Sequence, residues 1–218
     1  GRPARGRGDR EGGRRLILFV SDLHLSPRSP GATALFLGFL EGRVRAADAL
    51  FILGDLFESW IGDDDLAAPF NARIAAALRA VADAGVEVAL MRGNRDFLLG
   101  ERFAAAAGAR LLDDPFDLLL PEWSFVLAHG DALCLDDAGY MAFRARVRTP
   151  EWQQRMLSRP RWLRRLVARY IRWRSRNAPR PVYADLKAAA TDDFLRDHAY
   201  ATFIHGHTHR QATHDHIV

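Results

Sequence analysis

The chain has 218 residues, 49% hydrophobic and 27% charged, which excludes a disordered protein and fits one α/β domain with a sizeable core. No apolar run approaches the length of a membrane-spanning helix, and the single cysteine, Cys134, excludes an internal disulfide framework and fits a reducing compartment. The formal charge of +4 resides in residues 1–15, six Arg against Asp9 and Glu11; the remainder balances at 25 basic and 25 acidic residues, so net charge makes no case for nucleic-acid binding.

Residues 1–15 are Gly/Arg-rich with almost nothing apolar and read as a disordered extension, leaving 16–218 as the folded domain. Along the chain, short apolar runs alternate with helical patterns, as in a layered α/β protein. Strands are expected at Leu16–Val20, Ala49–Leu53, Val86–Met91, Phe116–Leu120, Ser124–Ala128 and Ala201–Ile204. Pro121-Glu122 marks a hairpin. Helices are expected at Ala32–Arg45, at Phe70–Ala84 with Gly85 as a stop, and at Gly100–Ala107 before Gly108. Arg144–Arg176 reads as amphipathic helix, ending at Pro179 and Pro181.

The residues just past the apolar runs carry the chemistry. "LILFV" leads to "SDLH", "ALFIL" to "GDLFESW", "VEVALM" to "RGNRD", "SFVLA" to "HGD" and "TFI" to "HGHTH". Five strands thus end in Asp, His or Asn, mostly beside Gly. In α/β sheets the carboxyl ends of strands share the rim where ligands bind. Asp22 and His24, two residues apart, are expected to point the same way off the first strand. Glycine at such a rim lets backbone pass close to an ion or phosphate.

Asp22, His24, Asp55, Asn94, His129, His207 and His209 supply four imidazoles, two carboxylates and an amide carbonyl. That is too many ligands for one ion and suits two divalent ions about 3.5–4 Å apart. Nitrogen and oxygen donors without thiolate favour Mn²⁺ or Fe²⁺ and leave Zn²⁺ open. Two carboxylates against two dications leave positive charge for a phosphate, so the expected reaction is phosphoester or phosphoanhydride hydrolysis.

The order D-x-H, GD, GN, H, GHTH resembles that of the calcineurin-like metallophosphoesterases. The resemblance implies a four-layer αββα sandwich. It implies that Asp22, His24, Asp55 and His209 hold one metal, and Asp55, Asn94, His129 and His207 the other, with Asp55 bridging. More closely, "SDLHL", "ILGDLFESWIGDDD", "GNRDFLLG", "HGDALCLDDAGYMAFR" and "IHGHTHR" resemble the bacterial UDP-2,3-diacylglucosamine pyrophosphohydrolases of lipid A biosynthesis, from about Leu16 to about His209. The most specific element is "GNRD", with Arg after Asn where the wider superfamily usually has His. This likeness implies attack of water on the α-phosphorus of UDP-2,3-diacylglucosamine, giving UMP and 2,3-diacylglucosamine 1-phosphate. It gives catalytic and substrate-binding roles to Asn94, Arg95 and His207, and substrate contacts to Asp137 and Ser175. Arg95 would pair with the pyrophosphate, which its planar fork suits. Two Mn²⁺ ions and a peripheral position on the cytoplasmic face of the inner membrane are further expectations of the likeness. The family's Asn and Lys past Ser175 have no counterpart that can be aligned; Asn177 and Arg180 are the candidates.

Residues 140–180 hold 13 Arg and one acid, Glu151, together with three of the five Trp. Trp162, Leu163, Leu166, Val167, Tyr170 and Trp173 share one helical face, with Arg164, Arg165, Arg169 and Arg172 towards another. Such a helix suits an anionic membrane surface or a lid over acyl chains. Alternatively, it packs its apolar side on the sheet and solvates its arginines. Asp63–Asp65 reads as a solvated loop rather than a third metal site, and Cys134 as a small buried side chain. Two other functions remain in view: a phosphodiesterase of the same fold acting on nucleotides or nucleic acid, and a scaffold without metals. The ligand set argues against the second, and no nucleic acid is expected as partner.

Overall fold

The computed structural model describes residues 15–177, 186–209 and 213. The expectations for residues 1–14, Arg180, Pro179 and Pro181 lie outside these, as does the Ser175 side chain. Among the described residues seven strands run in chain order: β1 Ile17–Val20, β2 Ala49–Leu53, β3 Glu87–Met91, β4 Arg110–Leu112, β5 Phe116–Leu119, β6 Ser124–Ala128 and β7 Thr202–His205. Strands β1-β2-β3-β4 form a parallel sheet. In the second sheet β6 pairs antiparallel with β5 and parallel with β7.

The α-helices among the described residues are α1 Pro30–Glu41, α2 Pro69–Asp83, α3 Glu101–Ala107, α4 Ala138–Val147, α5 Pro150–Leu157, α6 Arg161–Asn177 and α7 Ala188–Asp197. Their layering follows from period-2 alternation. On β2, Leu50 and Ile52 face a core built with Phe36 and Leu40 of α1, Ile74 and Leu78 of α2 and Phe103 of α3. Ala49, Phe51 and Leu53 face the opposite way, onto Leu127 of β6 with Phe116 and Ile204 alongside. The outer face of the second sheet, Val126 and Phe203, meets Phe194 and Leu195 of α7. The order is helices, sheet, sheet, helix: the four-layer αββα arrangement. A strand covered on both faces is continuously apolar, which is why "ALFIL" shows no alternation.

Two helical expectations needed correction. The long helix over Arg144–Arg176 is three helices, α4 to α6, because Pro150 and Pro160 cannot donate an amide hydrogen to the preceding turn. Thr149 caps α5 by accepting from the Trp152 N–H at 3.3 Å, with Pro150 at the first helical position. The first helix starts at Pro30 and stops at Glu41, and Arg43–Ala46 continue as a 3₁₀ turn. Neither β4 nor α7 was anticipated, the first being only three residues long.

Candidate metal centre and active site

All five strand ends bearing Asp, His or Asn reach one rim, the carboxyl ends of β1, β2 and β3 in one sheet and of β6 and β7 in the other. Asp22 and His24 do not get there by strand alternation. Strand β1 ends at Val20, and both residues lie beyond it in the left-handed region, φ 55° and 46°. Asp55, His207 and His209 are left-handed as well. Non-glycine residues rarely adopt this conformation, and five here share one cluster.

The loops are held by tight packing. Any Cβ on Gly93 would collide with the Asp55 carboxylate, and one on Gly206 with the Ser21 hydroxyl. These glycines therefore make room for a neighbouring side chain. Asp96, to which the sequence alone assigns no role, is fully buried and accepts from the backbone N–H groups of Gly93 at 2.8 Å, Asp55 at 3.2 Å and Phe57 at 3.3 Å. It fastens the β2 and β3 loops together.

Within the cluster, Asp22 Oδ2 accepts from Ser21 Oγ and the His207 N–H, both at 2.7 Å. Its Oδ1 is buried without a hydrogen-bond partner among the described residues, 3.6 Å from His209 Nε2 and 3.9 Å from His24 Nε2. The His24 and His209 rings lie parallel, with their Nε2 atoms 3.1 Å apart. Asp55 lies between two imidazoles: Oδ1 is 3.8 Å from His129 Nε2, and Oδ2 is 3.8 Å from His24 Nδ1. Asn94 Oδ1 lies 3.0 Å from His129 Nε2 and 3.3 Å from His207 Nδ1. His129 Nδ1 is 2.9 Å from the Leu53 carbonyl, a contact that puts a proton on Nδ1 and turns Nε2 towards the cluster.

Among the described residues two groups of candidate ligand atoms converge, Asp22 with His24 and His209, and Asp22 with Asp55 and His129. Asp22 belongs to both. The donor set fits divalent ions: among the described residues buried Asp22 Oδ1 and His24 Nδ1 have no hydrogen-bond partner, and the converging atoms are carboxylate oxygens and imidazole nitrogens, with the Asn94 carbonyl beside them.

Protonation follows burial. Burial pushes the Asp55 carboxyl up to about 8, against the opposing pull of His129. Burial alone would lower His129, but the carboxylates of Asp55 and Asp131 outweigh it and raise its pKa. His207 is pushed down to about 4, mainly by burial. His24 is lowered by burial, opposed by Asp22, with His209 and Arg95 adding to the lowering.

The remaining candidates have varied surroundings. Arg95 donates its backbone N–H to Asp55 Oδ1 at 2.7 Å, and its charge reaches His24. Asp137 is an exposed N-cap, accepting from the Tyr140 N–H at 2.8 Å, so its visible task is to start α4. Asn177 donates its amide to the Trp173 carbonyl at 2.7 Å. Sequence reasoning missed Asp131, buried two residues past His129, which accepts from the Tyr140 hydroxyl and from Arg144 Nε at 2.9 Å. Burial opposes ionisation of Asp131, but His129, Arg144 and Arg148 bring its pKa down to about 2. Tyr140 also stacks on His207, with centroids 5.9 Å apart. The signal was present, since "HGD" and "GYMAFR" both belong to the family-like motif.

The helix α6 inverts the simpler expectation for it. Arg164 is 4% exposed, whereas Trp162 and Trp173 are each 62% exposed and Leu166 and Tyr170 also face solvent. Asp63–Asp65 is not a solvated loop, since Asp64 and Asp65 form ion pairs with Arg164 and Arg165. Cys134 is a small buried side chain, as expected. A cleft of about 560 Å³ is lined by His24, Ser26, Arg28 and Glu58 on one side and Arg169, Arg172 and Trp173 of α6 on the other. Among the described residues no helix is long and apolar enough to cross a membrane.

A two-sheet sandwich with Asp, His and Asn side chains gathered from five strand ends is the arrangement of a metal-dependent phosphoesterase, and the calcineurin-like phosphoesterase model matches residues 15–211. The chain belongs to that family, and with it to the enzymes that use divalent metal ions for hydrolysis. Among its relatives is a protein of Aromatoleum aromaticum named UDP-2,3-diacylglucosamine hydrolase, 46% identical over 92% of this chain and 83% of that one. Proteins of the same name from Klebsiella pneumoniae, 47% identical, and Escherichia coli K12, 46% identical, are each matched over 91% of this chain and 83% of their own.

Proposed function

We propose that the protein hydrolyses UDP-2,3-diacylglucosamine, the substrate in the names of its relatives, and that the bond cleaved is the pyrophosphate. The observation that carries this reading is the cleft joining His24 of the ligand cluster to a helix that is basic and aromatic. A phosphate-cleaving centre there adjoins a surface suited to a lipid. Water attacks the α-phosphorus, the bond to the bridging oxygen breaks, and UMP and 2,3-diacylglucosamine 1-phosphate leave.

Asp22, His24, Asp55 and His209 would hold one ion, and Asp55, Asn94, His129 and His207 the other. Asp55 reaches imidazoles of both sets at 3.8 Å. Bound divalent ions, with Mn²⁺ preferred for this donor set, activate water and offset phosphoryl charge. The protein's own share is orientation. His129 is fixed by the Leu53 carbonyl, and Asp22 by Ser21 and the His207 amide. Asn94 and Arg95 follow β3 on the rim, where the Arg95 fork would clamp the pyrophosphate. His207, neutral at pH 7 because burial lowers it to about 4, keeps a lone pair free for a ligand. Asp137 and Ser175 are proposed substrate contacts on the α4–α6 side.

Helices α4 to α6 would act as a lid for the lipid half. The exposed stripe of Trp162, Leu166 and Tyr170, flanked by arginines, would rest on the anionic inner-membrane surface at its cytoplasmic face. Turnover of UDP-2,3-diacylglucosamine with Mn²⁺ in ¹⁸O-water tests the reaction. Label in the phosphate of UMP supports attack on the α-phosphorus. Label in the lipid phosphate moves the attack, and hydrolysis of nucleic acid alone replaces the substrate.

A further inference from the structure

Helix α6 hangs from the loop after β2 by an arginine clasp that does not touch the ligand cluster. Arg164 donates to the carbonyls of Ile61 and, at 2.9 Å, Arg159, and grips both carboxylate oxygens of Asp64. That grip holds the Asp64 carboxyl below the usual range. Next to it on the same helix, Arg165 pairs with Asp65 at 2.6 Å, and Arg161 donates to the Asp64 carbonyl at 3.3 Å. Gly62, at φ 126°, makes the approach possible, because a Cβ there would strike the Arg164 guanidinium and Leu157.

The base of the clasp is anchored independently. Asp63 accepts from Trp60 Nε1 at 3.0 Å and from the N–H groups of Gly100 and Arg102 at 2.9 Å and Phe103 at 3.1 Å, tying the loop to the start of α3. Arg169, Arg172 and Trp173, farther along α6 from Arg164, line the cleft opposite His24. Nine residues of helix span about 13 Å, so tilting α6 by about 20° at the clasp would carry Trp173 roughly 4–5 Å. That displacement would open or close the cleft without disturbing the ligands.

We infer that Arg164 and Asp64 are positioning residues that set substrate specificity by holding α6 at the height where Arg169, Arg172 and Trp173 complete the cleft. The inference rests on the proposed reading of α4–α6 as the wall for the lipid half. A bidentate guanidinium–carboxylate pair suits the task because it fixes angle as well as distance.

The test uses the metal-loaded enzyme and changes the exposed partner, Asp64→Ala and Asp64→Glu, with Arg164→Ala as a harsher companion. Asp64→Ala should raise KM for UDP-2,3-diacylglucosamine about tenfold, while hydrolysis of bis(4-nitrophenyl) phosphate stays within about twofold. Amide hydrogen exchange should quicken across residues 161–177 and remain unchanged in β1–β3. Asp64→Glu, which retains the pair, should recover most of the lost affinity. Equal losses on both substrates, an unchanged KM, or unchanged exchange in α6 would overturn the inference. If the wild-type enzyme did not turn over the glycolipid, the proposed function would fall, and hydrogen exchange alone would decide whether the clasp holds the helix.

Discussion

Asp96 accepts the backbone N–H of Asp55 from 41 residues away, and through it a buried carboxylate in the β3 loop sets the backbone of a ligand in the β2 loop. Because Asp96 also takes the N–H groups of Gly93 and Phe57, Asp96→Ala leaves three buried donors unpaired. The expected loss is about 3 kcal/mol, or about 10 °C in Tm for a domain of this size. Asp96→Asn, with one acceptor oxygen left, should fall between. Calorimetry of the three proteins checks this, and an Ala variant as stable as wild type would remove Asp96 from the scaffold.

Asp55→Ala removes a carboxylate that faces imidazoles of both proposed ion sites. Activity should drop by about three orders of magnitude or more, with metal content falling below two ions per chain. Chelation of the wild type should do the same, and Mn²⁺ should restore it. Cys134→Ser should leave metal content unchanged, as Cys134 is not among the donors. Two ions retained with normal turnover in Asp55→Ala would disprove the bridging role.

Metal affinity should climb with pH up to about 8. In the metal-free protein burial raises the Asp55 carboxyl to about 8 and the carboxylates around His129 raise that imidazole, so a metal must displace protons to bind. The sign for stability is opposite. A carboxyl raised in the folded state favours folding below its unfolded pKa, and the advantage is lost as pH rises towards 8. Below about pH 6.5 the lowered imidazoles of His24 and His207 work the other way, so it is between about pH 6.5 and 8 that chelated protein should lose stability while metal-loaded protein does not. Thermal melts with and without chelator across this window decide it.

The aromatic stripe on α6 gives a prediction separable from folding. Trp162 and Leu166 are exposed, so replacing both with Ser should leave Tm nearly unchanged. Sedimentation with vesicles containing anionic lipid should then show weaker binding, by about thirtyfold if each of the two side chains contributes about 1 kcal/mol at the interface. Unaltered vesicle binding would leave the stripe without a membrane role.

The primary sequence determined the layers and the rim. Apolar runs such as "ALFIL", each followed by Asp, His or Asn, could be read because strand burial and ligand chemistry are both written in consecutive residues. It did not reveal β4, three residues long, or the breaks at Pro150 and Pro160 within one continuous amphipathic pattern. Nor could it show which side of α6 is buried. Periodicity gives the faces of a helix but not the partner each face meets. Here Asp64 and Asp65, 100 residues earlier in the chain, turn the Arg164 and Arg165 side of α6 towards the β2 loop and leave the tryptophans in solvent. Asp96, Asp131 and Tyr140 escaped for the same reason. Their roles lie in hydrogen bonds to backbone and side chains on other loops, and only the tertiary structure brings those loops within reach.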